Sequence, residues 1–178
     1  MGCCVFPRLL VCDQAKQRVS IHRVTGELIQ NVHIAEVETP TQISCHGNKL
    51  FVCDADNKSI VIYYFTDTEL HFIARLAAPE HTNGLAGEFL ECSGITTDRH
   101  GNLLIADMAR DRVHLLNPRG EMSSVVARGR TLLRPMCVAV SPAEGGLMAV
   151  AQHGVFPLEE DMPMQYEVVI YKIIKADV

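Results

Sequence analysis

Between Leu90 and Met122 short apolar runs alternate with clusters of turn-forming residues. An alternating run from Gly94 is closed by Arg99-His100-Gly101-Asn102, an apolar run continues to Asp107, and a third run from Val113 is stopped by Asn117-Pro118-Arg119-Gly120. Runs this short, bounded by Gly, Pro, Asn and Asp, predict β-strands joined by tight turns. The same order returns upstream. Lys49–Asp54 and Leu9–Asp13 repeat Asn102–Asp107, and after each Asp four residues intervene before a polar-apolar pair opens the next strand: Arg18-Val19, Ser59-Ile60 and Arg112-Val113. A period of this kind outranks any single motif and predicts a series of similar small sheets.

The aspartates at 13, 54 and 107 are 41 and 53 residues apart, and the surplus falls in Ala77–Glu91, which holds Pro79, Asn83-Gly84 and Gly87. Four units result. The first, about 8–35, has strands at Leu9–Asp13, Val19–Arg23 and Leu28–Ile34 and lacks a first strand. The second, about 40–77, and the third, about 92–128, have four strands each. The fourth, about 135–175, has strands near Pro135–Val140, Leu147–Ala151 and Glu167–Ile173; no Asp follows Val150, and a loop from Gln152 to Gln165 interrupts it. Helical spacing is confined to Leu85–Cys92. The expected fold is therefore all-β: a single partial β-propeller over 1–178, with about four four-stranded antiparallel blades of which the first and last are incomplete. Open blade edges are expected to aggregate or to recruit another chain that completes the ring, so an isolated well-behaved monomer is not expected.

The order Gly87-Glu88-Phe89, Cys92-Ser93-Gly94-Ile95, Asp98-Arg99-His100-Gly101-Asn102, Leu103–Asp107 and Arg112-Val113 resembles the NHL repeat. It departs from that pattern in Cys92 for Pro, Ser59 for Arg, and the missing Asp after Val150. The resemblance implies the substrate-recruiting propeller of tripartite-motif ubiquitin ligases: a non-catalytic module that binds a protein partner or ubiquitination substrate, with single-stranded RNA as the alternative ligand and a metal-dependent propeller enzyme as the third reading. The first two readings imply no enzyme activity in this chain, any ligase chemistry residing in a RING elsewhere.

Composition narrows this further. Hydrophobic residues make up 48% and charged residues 21%, which suits a folded globular chain, and the net charge of −5 argues against a surface that grips phosphate backbones throughout. Seven cysteines without a Cys-x-x-Cys pair fit neither a zinc knuckle nor a disulfide framework, so a reducing, cytoplasmic setting is expected, with Cys12 and Cys53 as small buried residues in the slot of Ala106. Val5 to Leu10 reads as strand or lead-in. No apolar run reaches the ~20 residues that span a bilayer, and no membrane partner is expected.

Each repeated Asp is expected to accept N–H bonds from the turn that follows it, and Arg18 and Arg112 to bridge back to such an Asp. Gly94 is expected to permit a close approach, and Phe89 to wedge between blades. Connectivity puts the interblade linkers and the second-to-third-strand loops on one face. That face gathers Lys16, Arg18, Lys58, Arg110, Arg112, Arg128, Arg130 and Arg134, which with Glu159 and Glu160 form the candidate binding set. No catalytic residue, cofactor or metal is expected: Gln42, Ile43, Ser93, Ile95, Met136 and Val138 at the inner strands offer no three-ligand set, His46 and His100 sit in turns, and the other histidines show no paired spacing.

Overall fold

The computed structural model describes residues 2–5, 8–77, 91–128, 132–141, 147–153 and 166–172, which form an all-β fold of four antiparallel sheets. The chain divides into two compact units, Met1–Cys92 and Ser93–Val178. The first holds one sheet of β1 (Gly2–Val5), β2 (Arg8–Asp13), β3 (Arg18–Arg23) and β4 (Leu28–His33), and a second of β5 (Pro40–His46), β6 (Lys49–Asp54), β7 (Ser59–Phe65) and β8 (Leu70–Ala77). The second holds β9 (Cys92–Thr97), β10 (Leu103–Asp107), β11 (Arg112–Leu116) and β12 (Met122–Arg128), then a sheet of β13 (Pro135–Val140), β14 (Leu147–His153) and β15 (Tyr166–Lys172). Strand order follows the chain in every sheet, as hairpin-linked strands dictate.

One expectation is corrected at once. The first sheet is not short of a strand, because Gly2–Val5 pairs with Arg8–Val11. Four residues with two adjacent cysteines carry too little alternation to announce a strand; the partner β2 supplies the register.

In the first unit one core cluster is built from both sheets. Leu10, Val19 and Ile21 of one sheet meet Ile43, Leu50, Val52, Val61, Tyr63 and Phe65 of the other, with Ile34 and Val37 from the connection between them. Leu50 and Val52 point the same way as Asp54, so this Asp lies on the core-facing side. In the second unit Leu104, Ala106 and Val113 pack with Leu132, Val138, Met148 and Val150. Alternation then places Leu103, Ile105, Asp107, Arg112 and His114 on the opposite face of that sheet, away from β13–β15.

The turns follow their chemistry. Asp98 Oδ1 accepts the His100 and Asn102 N–H groups at 2.8 and 2.9 Å, and Asn117 Oδ1 does the same for Arg119 and Glu121 at 2.9 and 3.0 Å. After Asp13 and Asp107 the chain makes one 3-10 turn that ends on a left-handed residue, Gln17 (φ 45°) or Asp111 (φ 51°), and Lys58 (φ 45°) holds that position in the second sheet.

Gly94 marks the close approach within the second unit: a Cβ there would lie 2.7 Å from Cys137 Cα and 3.0 Å from Val138 N. These are backbone atoms of β13 and cannot swing aside. Gly94→Ala is expected to lower stability by about 1–3 kcal/mol, read as a lower urea midpoint with an unchanged slope. Phe89 and the Leu85–Cys92 spacing lie, apart from Glu91 and Cys92, outside the described residues.

Candidate functional site

The linker-side residues come together in two groups, one in each unit. In the first, Gln17 and Asn57 from the two second-to-third-strand turns both reach Glu38 of the β4–β5 connection, at 2.8 and 3.3 Å. Lys16 and Lys58 beside them are exposed, while Arg18 is half-buried and bound to Asp13 at 2.9 Å. In the second, Arg112 Nε donates to the Arg110 carbonyl at 3.2 Å, Arg128 lies opposite Arg112 in the sheet, and the Arg134 N–H reaches Asp111 at 2.6 Å. Arg130, Glu159, Glu160 and the side chain of Arg128 lie outside the described residues.

Neither Asp13 nor Asp107 caps the 3-10 turn that follows it. Asp54 instead holds the chain that leads into its own sheet. Its carboxylate accepts the Glu38 and Thr39 N–H groups at 3.2 and 3.0 Å, the Asn57 amide at 2.8 Å and Arg75 Nη1 at 3.0 Å. Arg75 also donates to Ser59 Oγ at 2.6 Å and to the Glu36 carbonyl. Arg75 stands opposite Val61 on β8, on the same face as Ser59 and Asp54, so the partner comes from two strands away and not from position 59. In the fourth sheet Gln152 takes the same place, since Pro135 pairs with Gln152 as Pro40 pairs with Asp54. Its Oε1 accepts the Leu133 N–H at 3.2 Å and its Nε2 donates to Glu167 at 2.6 Å.

Burial pushes the Asp54 carboxyl up, but the hydrogen bonds from Thr39, Asn57, Arg75 and Glu38 outweigh it and hold the group below the ordinary carboxylate value. A lowered folded value means that the stabilisation is complete above the unfolded value of about 3.9 and is lost as pH falls through the lower folded one. Urea midpoints measured from pH 6 to pH 2 are expected to fall more steeply for the native chain than for Asp54→Asn.

In the third sheet the equivalent carboxylate has a different partner. Asp107 and His114 are both buried, 0% and 2% exposed, and His114 Nε2 lies 3.1 Å from Asp107 Oδ2. His114 pairs with Ile105, and Asp107 with Arg112, so the two are diagonal neighbours on one face. An ionised carboxylate only accepts, so Nε2 carries the proton and Nδ1 presents its lone pair. Nδ1 is buried and has no hydrogen-bond partner among the described residues. The other sheets place Ser20, Val61 and Val169 at the position of His114. His114 has a partner seven residues back, invisible as a motif but brought near by a hairpin. The available signal was a histidine at a repeat position that the other sheets fill with Ser20, Val61 and Val169. Among the described residues no three His, Cys, Asp or Glu side chains converge as a metal site.

No family model and no curated protein matches the chain. Solved structures of similar fold include the Kuenenia stuttgartiensis hydrazine synthase, at TM-score 0.66 and 15% identity over 94% of this chain and 43% of that one. They also include a luciferin-regenerating enzyme, at TM-score 0.63 and 14% identity over 94% and 60%. A third is a catalytically inactive histidine-to-alanine variant of virginiamycin B lyase from Staphylococcus aureus with quinupristin, at TM-score 0.56 and 12% identity over 89% and 51%. The chain thus spans between 43% and 60% of the length of these proteins.

These findings correct the NHL and tripartite-motif resemblance, which no family model supports, since the similar structures are a synthase, a regenerating enzyme and a lyase. The readings that rested on it fall with it: the non-catalytic recognition module, the ubiquitin-ligase association, the RNA-binding alternative and the absence of enzyme activity. The physical reason is that an Asp closing one strand and a polar-apolar pair opening the next are hairpin and linker devices. They belong to the sheet architecture and say nothing about what it carries.

Proposed function

We propose that the chain is part of a β-propeller enzyme, its four sheets being blades, in which the Asp107–His114 pair moves a proton on a small organic substrate. One observation carries the reading: a buried histidine whose Nε2 is held by a buried carboxylate and whose Nδ1 has no partner among the described residues. Leaving a buried acceptor unsatisfied costs about 1–3 kcal/mol, and a packed sheet accommodates valine at that position at no such cost. The imidazole is thus explained by a ligand that Nδ1 meets.

The chemistry follows from the geometry. Nδ1 takes a proton from the substrate, the Asp107 carboxylate stabilises the imidazolium that forms, and the same nitrogen returns the proton to the departing atom, an elimination of the lyase class. Arg112, across the hairpin from Asp107 and two residues from His114 on the same face, supplies positive charge for the anion that develops. The similar folds support this reading because they are enzymes, one of which, virginiamycin B lyase, is described as inactive once a histidine becomes alanine.

The test is turnover by the purified chain of a small-molecule panel that includes quinupristin, followed by mass spectrometry in water and in deuterium oxide. Product formation that depends on His114 is expected. A folded protein that converts no member of the panel, or one whose activity is indifferent to His114, counts against the reading.

A further inference from the structure

The residue before the second-strand Asp, or before its Gln152 replacement, is small in every sheet: Cys12, Cys53, Ala106 and Ala151. The first strands of the second, third and fourth sheets open on Pro40, Cys92 and Pro135. In the first unit Cys12 Sγ lies 3.4 Å from the Pro40 carbonyl oxygen. In the second, Ser93 Oγ contacts the carbonyls of Ala106 and Pro135 at 3.1 and 2.5 Å. These two pairs of positions lie together without a covalent bond. The remaining pair is Cys53 and Cys92, and a disulfide joins them across 39 residues of sequence. The sequence reading of Cys53 as a small residue without redox chemistry is corrected by that bond.

We propose that Cys53–Cys92 is a reversible oxidation site, a removable lock that ties β6 to the residue opening β9. The inference is independent of the activity proposed above. Its basis is the internal comparison: the position of Cys53 carries a free thiol in the first sheet and a methyl group in the third, and both sheets keep their cores. Reduction therefore leaves Cys53 in the state that Cys12 already occupies. Burial pushes the Cys12 thiol up to about 11. Among the described residues Cys53–Cys92 is the one disulfide, and Cys12, Cys45 and Cys137 take part in none.

The exchange balances with a dithiol as reductant. One thiolate of the dithiol bonds to Cys92 Sγ, the less deeply buried of the two residues (6% against 0% exposed), and Cys53 leaves as a thiolate that takes up a proton. The second thiolate then displaces Cys92, which is also protonated. The reagent departs as a cyclic disulfide, and two electrons and two protons have passed to the protein.

The test equilibrates the chain in mixtures of oxidised and reduced dithiothreitol, alkylates free thiols for mass spectrometry, and follows backbone amide exchange in each state. Cys53 and Cys92 are expected to lose alkylation together on oxidation, in one two-electron transition. Closing a loop of this length is expected to slow exchange at β9 on the order of 10²–10³-fold, while β5–β8 stay protected in both states. Cys53→Ala and Cys92→Pro, which copy Ala106 and Pro135, are expected to fold and to show the reduced pattern under either condition. The proposal is overturned if both cysteines alkylate in protein purified without reductant. It is equally overturned if reduction or Cys53→Ala strips protection from the whole of β5–β8, for the bond is then a structural staple.

Discussion

His114→Gln is expected to lower turnover by about 10²–10⁴-fold, the usual contribution of a positioned acid-base group. Glutamine is the informative replacement because its amide still donates to Asp107, which otherwise becomes a buried carboxylate without its histidine partner. Alanine would confuse the result, since breaking a buried pair costs about 3–5 kcal/mol and threatens the fold. Asp107→Asn is expected to act through the imidazole. Its side-chain amide donates to Nε2, the ring proton moves to Nδ1, and the nitrogen that should accept a proton already holds one. Both losses are expected in kcat, with KM little changed, because neither residue is asked to bind the ground state. A His114→Gln enzyme with native turnover and a native circular dichroism spectrum would remove the pair from the mechanism.

The largest effect on stability is expected at Asp54. Asp54→Ala leaves the Glu38 and Thr39 N–H groups, the Asn57 amide and the Arg75 guanidinium without the carboxylate that they share. A loss of about 3–5 kcal/mol is expected, seen as a large drop in the urea midpoint of the first unit. Asp13→Ala is the internal control. Its pair with Arg18 is 28% exposed on each side, and a solvated bridge of this kind contributes about 1 kcal/mol or less. Equal losses at the two positions would show that neither the burial of Asp54 nor the hydrogen bonds it collects set the scale.

The sheets were legible because their signals are short-ranged. A strand announces itself through alternation over five or six residues, and a turn through residues such as Asp98 and Asn117 that bond their own backbone two and four positions on. Strand β1 escaped notice because four residues are too few for a period to show. Gly94 was readable as a close approach because a strand glycine signals one, although the chain it meets, at Cys137 and Val138, belongs to another strand.

The sequence by itself determined the all-β class, the hairpins and the recurring Asp position, all properties of segments shorter than a hairpin. Tertiary structure alone decided what each buried group would meet. The Arg18 bridge to Asp13 followed from sequence, but Asp54 found Arg75 across a bulged pair of strands, and Asp107 found His114 on the diagonal of its hairpin. Gln152 stands in for a fourth Asp, and Cys53 reaches Cys92. The reason is that a buried polar group is satisfied by whichever neighbour strand register and packing bring within about 3 Å. Alternation tells which face a residue lies on, and only the folded chain tells what waits there.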